Sequence, residues 1–472
     1  MNKVLIFLFM IILLFSSIPF FSSQVSAAPS SMIYQAPITI DNTQSTPTPN
    51  PFQQMIQLSE STYKSYITYS GSTANFEFSY ANNTIIPAWI ESNNSGTLTI
   101  WLKIYSIPAS SSITIYIDFA SLTTNLLSSS GTIGIGEAPQ LSPTYAEYDN
   151  GASVFDMYFN GNTPLSDFNS ESNTLTQASV TGPSGTTINV ISITGYASNF
   201  GFVYTAESLT NQPLIAESSS QHAGNQAGGL GADNGQVSIV SGTSTSDLNA
   251  ISVDMGYHLS DNDNSYFSND YYSDGSQTYD VNQQGTDNTN WHYASVTYYG
   301  SSATSWSGYI APQLYSTTGG YSGTVSNNPL SSSPTLYLGL IGSVNSNDQW
   351  QTYINWMRAR SYPPNDVMPS VSFGSVMPTY TVTFTESGLP SGAKWNVTLN
   401  GVELSSSTSS ILFSEPDGTY SYTVGIYQGY SASPYSGSVT VSGANVNVAI
   451  TFTQVKYSVT FTESGLPSGT SW

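Results

Sequence analysis

Chemistry-bearing side chains are densest in Asp261–Asp280 (DNDNSYFSNDYYSDGSQTYD), which holds five aspartates, three asparagines and five aromatics. Calcium takes roughly six to eight oxygen ligands, which such a segment can supply. Asp261, Asp263, Asp270 and Asp274 are the candidate donors. The segment is not an EF-hand, because Tyr266 and Tyr272 occupy the sixth and twelfth positions of a register begun at Asp261. Tyr266, Tyr271 and Tyr272 could instead stack on sugar rings while the acids and amides bond the hydroxyls. The plain alternative is a polar surface loop. In strong acid, neutral carboxyls bind calcium poorly.

Other catalytic constellations are weakly signalled. Glycoside hydrolysis needs two carboxyl groups about 5 Å or about 6.5–9.5 Å apart, and no Glu-x-Asp-x-x-Glu run sets such a pair on one strand. Glu207, Glu217 and Asp254 lie in or beside strand-like segments and read as solvent-facing carboxylates at strand ends. The three histidines, His222, His258 and His292, are spaced by 36 and 34 residues, which follows no zinc motif. Gly134-Ile135-Gly136 and Gly229-Leu230-Gly231 lack the spacing and context of a nucleotide loop and belong to turns. Asn82, Asn93 and Asn396 each head an Asn-x-Ser/Thr sequon and are candidate glycan acceptors in an exported chain.

Composition narrows the function classes. The 472 residues include 7 Lys+Arg, 29 Asp+Glu and no cysteine, giving a formal net charge of -22. Charged residues make up 8% of the chain, against roughly 25% in an average soluble protein. A nucleic-acid partner is excluded for want of a basic footprint. Disulfides, thiolate nucleophiles and Cys-ligated zinc are excluded for want of cysteine. Acid unfolding proceeds mainly by protonating paired carboxylates, and a chain with few bases has few ion pairs to lose. The expectation is a protein that stays folded in an acidic medium without relying on ion pairs.

Residues 1–27 read as a secretory signal peptide: Lys3, an apolar run from Val4 to Phe15, then small residues at Val25-Ser26-Ala27. No other stretch is apolar for long enough to span a membrane. The expected location is secreted or cell-surface.

The elements that must position these residues are strands. Thr97–Ile104 and Ser112–Phe119 alternate with period two, and turn residues recur every 8 to 12 positions. Trp291–Tyr298, Leu336–Gly342 and Tyr353–Arg360 read likewise. Thr43–Pro51 is a Pro/Thr-rich loop after the first strand. The fold class expected is all-β, a tandem of β-sandwiches.

Within residues 33–122, the blocks Phe52-Gln53-Gln54-Met55, Asn75-Phe76-Glu77-Phe78, Pro87–Glu91, Trp101-Leu102-Lys103 and Ile107–Ser111 resemble an uncharacterised β-domain of secreted archaeal and bacterial proteins. The strands of the second unit, 145–376, are similar to the last third of concanavalin-like or laminin-G-like domains. That resemblance implies a jelly roll and, by analogy, glycan binding. The third unit, 380–453, opens with Tyr380–Gly392 (YTVTFTESGLPSG), which recurs from Tyr457 to Gly469. With the flanking residues to Trp395 and Trp472, thirteen of sixteen positions agree at a period of 77. This resembles the Ig-like repeats of archaeal secreted proteins, and 457–472 reads as the start of a second, incomplete copy in a fragment of a longer protein. The function expected is adhesion or envelope architecture, with a glycan or cell-envelope component as partner. The rival is an extracellular acid-active hydrolase, a glycosidase or peptidase.

Overall fold

The computed structural model describes residues 32–472 apart from 128–133, 197–200, 210–212, 224–231, 259–262, 285–289, 312–319, 334 and 345–348. Residues 1–27, expected to be a signal peptide, lie outside the described residues. Regular structure is almost entirely strand; among the described residues the α-helix is limited to Gly151–Val154. The chain forms three β-sandwiches.

The first pairs a six-stranded sheet with a four-stranded one. Tyr34–Asn42, Ser111–Phe119 and Phe76–Tyr80 lie side by side in the larger sheet. Ile135–Glu137, Ala88–Asn94, Thr97–Ile104 and Phe52–Ser59 make the smaller. Alternation drives the packing: Phe76, Phe78, Ile115 and Ile117 meet Ile90, Ile100 and Leu102 in one buried core. A fully buried side chain of this size contributes roughly 1.5–3 kcal/mol. The Pro/Thr-rich segment 43–51 joins the strands Tyr34–Asn42 and Phe52–Ser59, as expected. Ser370–Phe373 and Met377–Pro378 also pair with Tyr34–Asn42. The chain therefore returns to the first sandwich after building the second.

The second sandwich packs an eight-stranded sheet on a seven-stranded one. In the larger sheet Gln349–Ser361 lies between Thr187–Tyr196 and Leu214–His222, followed by Trp291–Tyr298 and Trp306–Ala311. In the smaller, Ala232–Ser241, Asn249–His258, Asp263–Ser273 and Ser276–Gln284 run consecutively to the edge. Trp306, Trp350, Val237, Ile251 and Leu338 fill the space between them.

The third sandwich has two four-stranded sheets closed over Phe384, Trp395, Phe413 and Phe452. Its first strand, Tyr380–Ser387, is flanked by Ser410–Glu415 and Val446–Gln454. The matching residues of the repeat form no strand, and Tyr457, Val459 and Phe461 are exposed.

Candidate functional site

Two β-bulges shape the face where the first sandwich meets the second. In Gln349–Ser361 the register against Leu214–His222 slips between Ser219 and Ser220, leaving Asn355 unpaired on the opposite strand. Before the bulge, Trp350 and Ile354 point into the sandwich core; after it, Met357 and Ala359 do. The extra residue reverses the facing and turns Trp356, Arg358 and Arg360 out toward the first sandwich. Asn355 is held by Tyr145, whose hydroxyl donates to its carbonyl at 2.8 Å, while its own Nδ2 donates to Gln140 at 3.0 Å. The second bulge is in Ala88–Asn94, where pairing with Thr97–Ile104 skips Glu91 between Ile90 and Ser92.

These bulges bring the chain's only two arginines, Arg358 and Arg360, to one place. Arg358 is fully buried, its guanidinium carbon 4.5 Å from the Phe155 ring centre and 4.7, 4.8 and 5.3 Å from those of Trp356, Trp101 and Trp89. Arg358 Nε donates to Glu217 Oε2 at 2.5 Å, and its Nη2 reaches Glu91 Oε1 at 3.3 Å. Arg360 donates to Glu217 Oε1 from Nε at 2.9 Å and Nη2 at 2.8 Å, and lies 4.7 Å over Trp101. The Tyr293 hydroxyl also donates to Glu217 Oε1. Burial acts to raise the Glu217 carboxyl, but the two guanidiniums prevail and lower it to about 2. Trp101 Nε1 donates to Glu91 Oε2 at 2.7 Å. Nη1 of both arginines is buried with no hydrogen-bond partner.

A cleft of about 680 Å³ opens onto this cluster. Trp101 and Glu91 line it from the first sandwich, and Tyr293, Tyr309, Arg358 and Arg360 from the second. The remaining wall is mostly uncharged and polar, including Gln57, Asn94, Thr97 and Thr99. The size falls within the roughly 300–1,000 Å³ range of small-molecule sites. Aromatic faces and fixed guanidinium donors can hold a polar ring compound. Proton transfer is a poor fit, since Glu217 stays ionised well into acid and so cannot hold a proton for a leaving group.

A second acidic cluster lies on the opposite side of the first sandwich. Glu77 and Asp118 stand directly across from one another on neighbouring strands, 4% and 2% exposed. Gln35 and Ser79 donate to Asp118 at 2.7 and 2.5 Å, whereas Glu77 Oε1 has no partner. Glu415 of the third sandwich is buried nearby and accepts from Asn83 Nδ2 at 3.3 Å. Burial raises all three carboxyls, Glu77 to about 8, Asp118 to about 6 and Glu415 to about 7. Among the described residues no base is ion-paired with them.

The residues singled out in the sequence lie elsewhere. Asp261 is outside the described residues, and Asp263 and Tyr266 belong to the strand Asp263–Ser273. What read as a loop is a hairpin turning at Asp274–Gly275, with φ of 46° and 75°. This is the positive-φ pair that Asp-Gly favours in a two-residue turn. Asp270 and Tyr272 are buried and Asp274 is exposed. Tyr271 packs toward the sandwich core, whereas Tyr272 joins Phe202, Val240 and Ile341 on the other face. Among the described residues no group of three or more His, Asp or Glu is placed to hold a metal ion. His222 and His292 are buried in the second sandwich.

Glu217 and Asp254, expected at solvent-facing strand ends, are fully buried; Glu207 is exposed. Glu217 is buried because Arg358 and Arg360 supply its counter-charge, and Asp254 accepts from Ser252 Oγ at 2.6 Å. Among the described residues the few expected ion pairs are all gathered in this cluster. Asn82 and Asn93 are exposed, and Asn396 is half-buried within the strand Trp395–Leu399. The Arg-x-Arg spacing was the available signal for the cleft, since residues two apart on a strand share a face.

No family model matches the chain. A protein of Sulfolobus islandicus rod-shaped virus 1, described as uncharacterized protein 562, is 52% identical over 338 residues, which is 71% of this chain and 58% of that protein. The chain thus spans less than two thirds of this relative's length. Among solved structures, the Bauhinia forficata lectin in complex with GalNAc overlaps 43% of this chain and 98% of its own at 12% identity and a TM-score of 0.29. A xylan beta-1,4-xylosidase from Bacillus halodurans overlaps 36% of this chain and 33% of its own, at 8% identity and 0.28. The CBM2 module of a Lactobacillus casei phage J-1 Dit protein overlaps 44% and 95%, at 9% identity and 0.29. These overlaps are too partial to carry function from those proteins to this one.

Proposed function

We propose that this chain is an exported modular adhesion protein, displayed on a cell or virion surface, that binds glycan in the cleft between its first two sandwiches. The observation that carries the reading is the cleft itself. Trp101, Tyr293 and Tyr309 offer aromatic surface for a sugar ring, and Arg358 and Arg360 hold donors that the protein leaves unpaired. The amino-terminal signal segment supports export, and the viral source of the 52% identical relative supports presentation on a virion. The third sandwich then serves as a spacer. The hydrolase reading has no such support, because the one fully buried carboxylate behind the cleft is neutralised by two arginines.

The test is a glycan array probed with the full chain at pH 3 and pH 7. The full chain is required because Trp101 and Glu91 come from one sandwich and Tyr309 and Arg360 from the other. Binding to a subset of glycans, reduced by Tyr309→Ala, supports the reading. Absence of binding to every glycan at both pH values refutes it.

A further inference from the structure

We propose that the ligand of this cleft is an acidic saccharide, whose carboxylate or sulfate group docks against the Arg360 guanidinium at the edge of the Arg358–Glu217 cluster. The inference rests on the cleft being the glycan site and goes on to name the class of sugar.

The argument is a count of donors and acceptors. Glu91 has both oxygens engaged, Oε1 by Arg358 at 3.3 Å and Oε2 by Trp101 at 2.7 Å. Glu217 sits behind the cleft and takes its bonds from Arg358, Arg360 and Tyr293. Both carboxylates are thus already engaged by these groups, while Nη1 of each arginine remains buried with no hydrogen-bond partner. Leaving a donor on a buried charged group unsatisfied is costly, more so than for a neutral one. A neutral hydroxyl can relieve one such donor. A carboxylate or sulfate presents several acceptor oxygens and a full negative charge, the match that a guanidinium fork makes best.

The placement of bases points the same way. The chain carries a net charge of -22, and its remaining basic residues beyond the signal segment are Lys64, Lys103, Lys394 and Lys456, none of which lines the cleft. Both arginines border the cleft, and Arg360 is the more open of the two, with 10% of its side chain exposed against none for Arg358. Apolar residues of similar volume would close a junction between sandwiches at least as stably as a buried ion-pair cluster. Ligand recognition gives the guanidiniums a role that packing does not.

The experiment is titration calorimetry of the full chain at pH 5 with three probes of equal length: a neutral galactan oligosaccharide, its galacturonate counterpart and its sulfated counterpart. The expected result is that at least one acidic probe binds about tenfold or more tighter than the neutral one. Which acidic probe wins identifies the group. Arg360→Gln should bring the acidic probe down to the neutral level, and Arg360→Lys should recover only part of the difference, because the charge returns without the fork. Should Arg360→Gln fail to fold, the wild-type comparison decides alone. Equal affinity for all three probes overturns this inference and leaves the glycan reading standing. Binding of none of the three, with an empty glycan array, removes both.

Discussion

At its junction with the second sandwich, the first sandwich buries Glu91 beside Arg358 and Arg360, with Glu217 of the second sandwich completing the cluster inside an aromatic cage. On the side toward the third, Glu77, Asp118 and Glu415 are buried, and among the described residues none is ion-paired with a base. One region holds the Glu217 carboxyl low by supplying counter-ions; the other withholds them, and burial raises Glu77, Asp118 and Glu415. The two regions therefore answer pH in opposite directions. The lesson is that scarcity of bases is a matter of placement: both arginines stand at one interface, and the rest of the fold is arranged so that its buried acids can go without.

The sharpest way to break this contrast is Arg358→Met, which leaves Glu217 and Glu91 short of a counter-charge. Urea denaturation at pH 5 should show a loss of about 3–5 kcal/mol, with much of it recovered in the Glu217→Gln/Arg358→Met double variant. A loss under about 1 kcal/mol would mean that the aromatic cage alone holds the junction.

The opposite region is probed by Glu77→Gln/Asp118→Asn. A carboxyl whose folded pKa is raised contributes its stability below the unfolded value, near 4, and loses it as pH rises through the folded value. For Glu77 and Asp118 that window runs from roughly pH 4 up to about 8 and about 6 respectively. The double amide variant should be at least about 2 kcal/mol more stable than wild type at pH 8 and nearly unchanged at pH 3. The same denaturation series at both pH values checks this, and equal effects at both would sink it.

Glu217 behaves in the reverse sense. Its lowered carboxyl contributes stability above the unfolded value near 4 that fades as pH falls through about 2. Together the two regions place the wild-type stability maximum near roughly pH 4, readable as the highest melting temperature in a pH series from 2 to 8. A maximum at pH 7 or above would contradict the assignment of the acidic cluster. The smallest expected effect is that of Tyr309→Ala, a half-buried residue of the cleft. It should weaken glycan binding by about tenfold while changing stability by less than about 1 kcal/mol.

Period-two alternation made the strands legible: Thr97–Ile104 and Trp291–Tyr298 form as read, with alternate residues in the cores. Arg-x-Arg shows that the two arginines share a face, but which face was not legible, because it depends on events that break that pattern. Strict alternation from Ile354 would carry Arg358 to the core, and only the unpaired Asn355 turns it away. The burial of Glu217 depends on Arg358, 141 residues distant, and no local signal announces that pairing. The aspartate-rich segment carries a usable cue: Asp274-Gly275 between alternating residues marks a hairpin, which disperses side chains to two faces and does not gather them into a loop.

The unpaired residue at Asn355 also bears on which changes the gene can tolerate. Deleting that one codon would restore a regular ladder and rotate the rest of the strand by half a turn. Two guanidiniums would then face the oily interior, and Met357 and Ala359 the cleft. Conservative replacements along this strand can be absorbed one at a time. A frame-preserving loss of a single position cannot, so the length of the strand is held more tightly than the identity of most of its members.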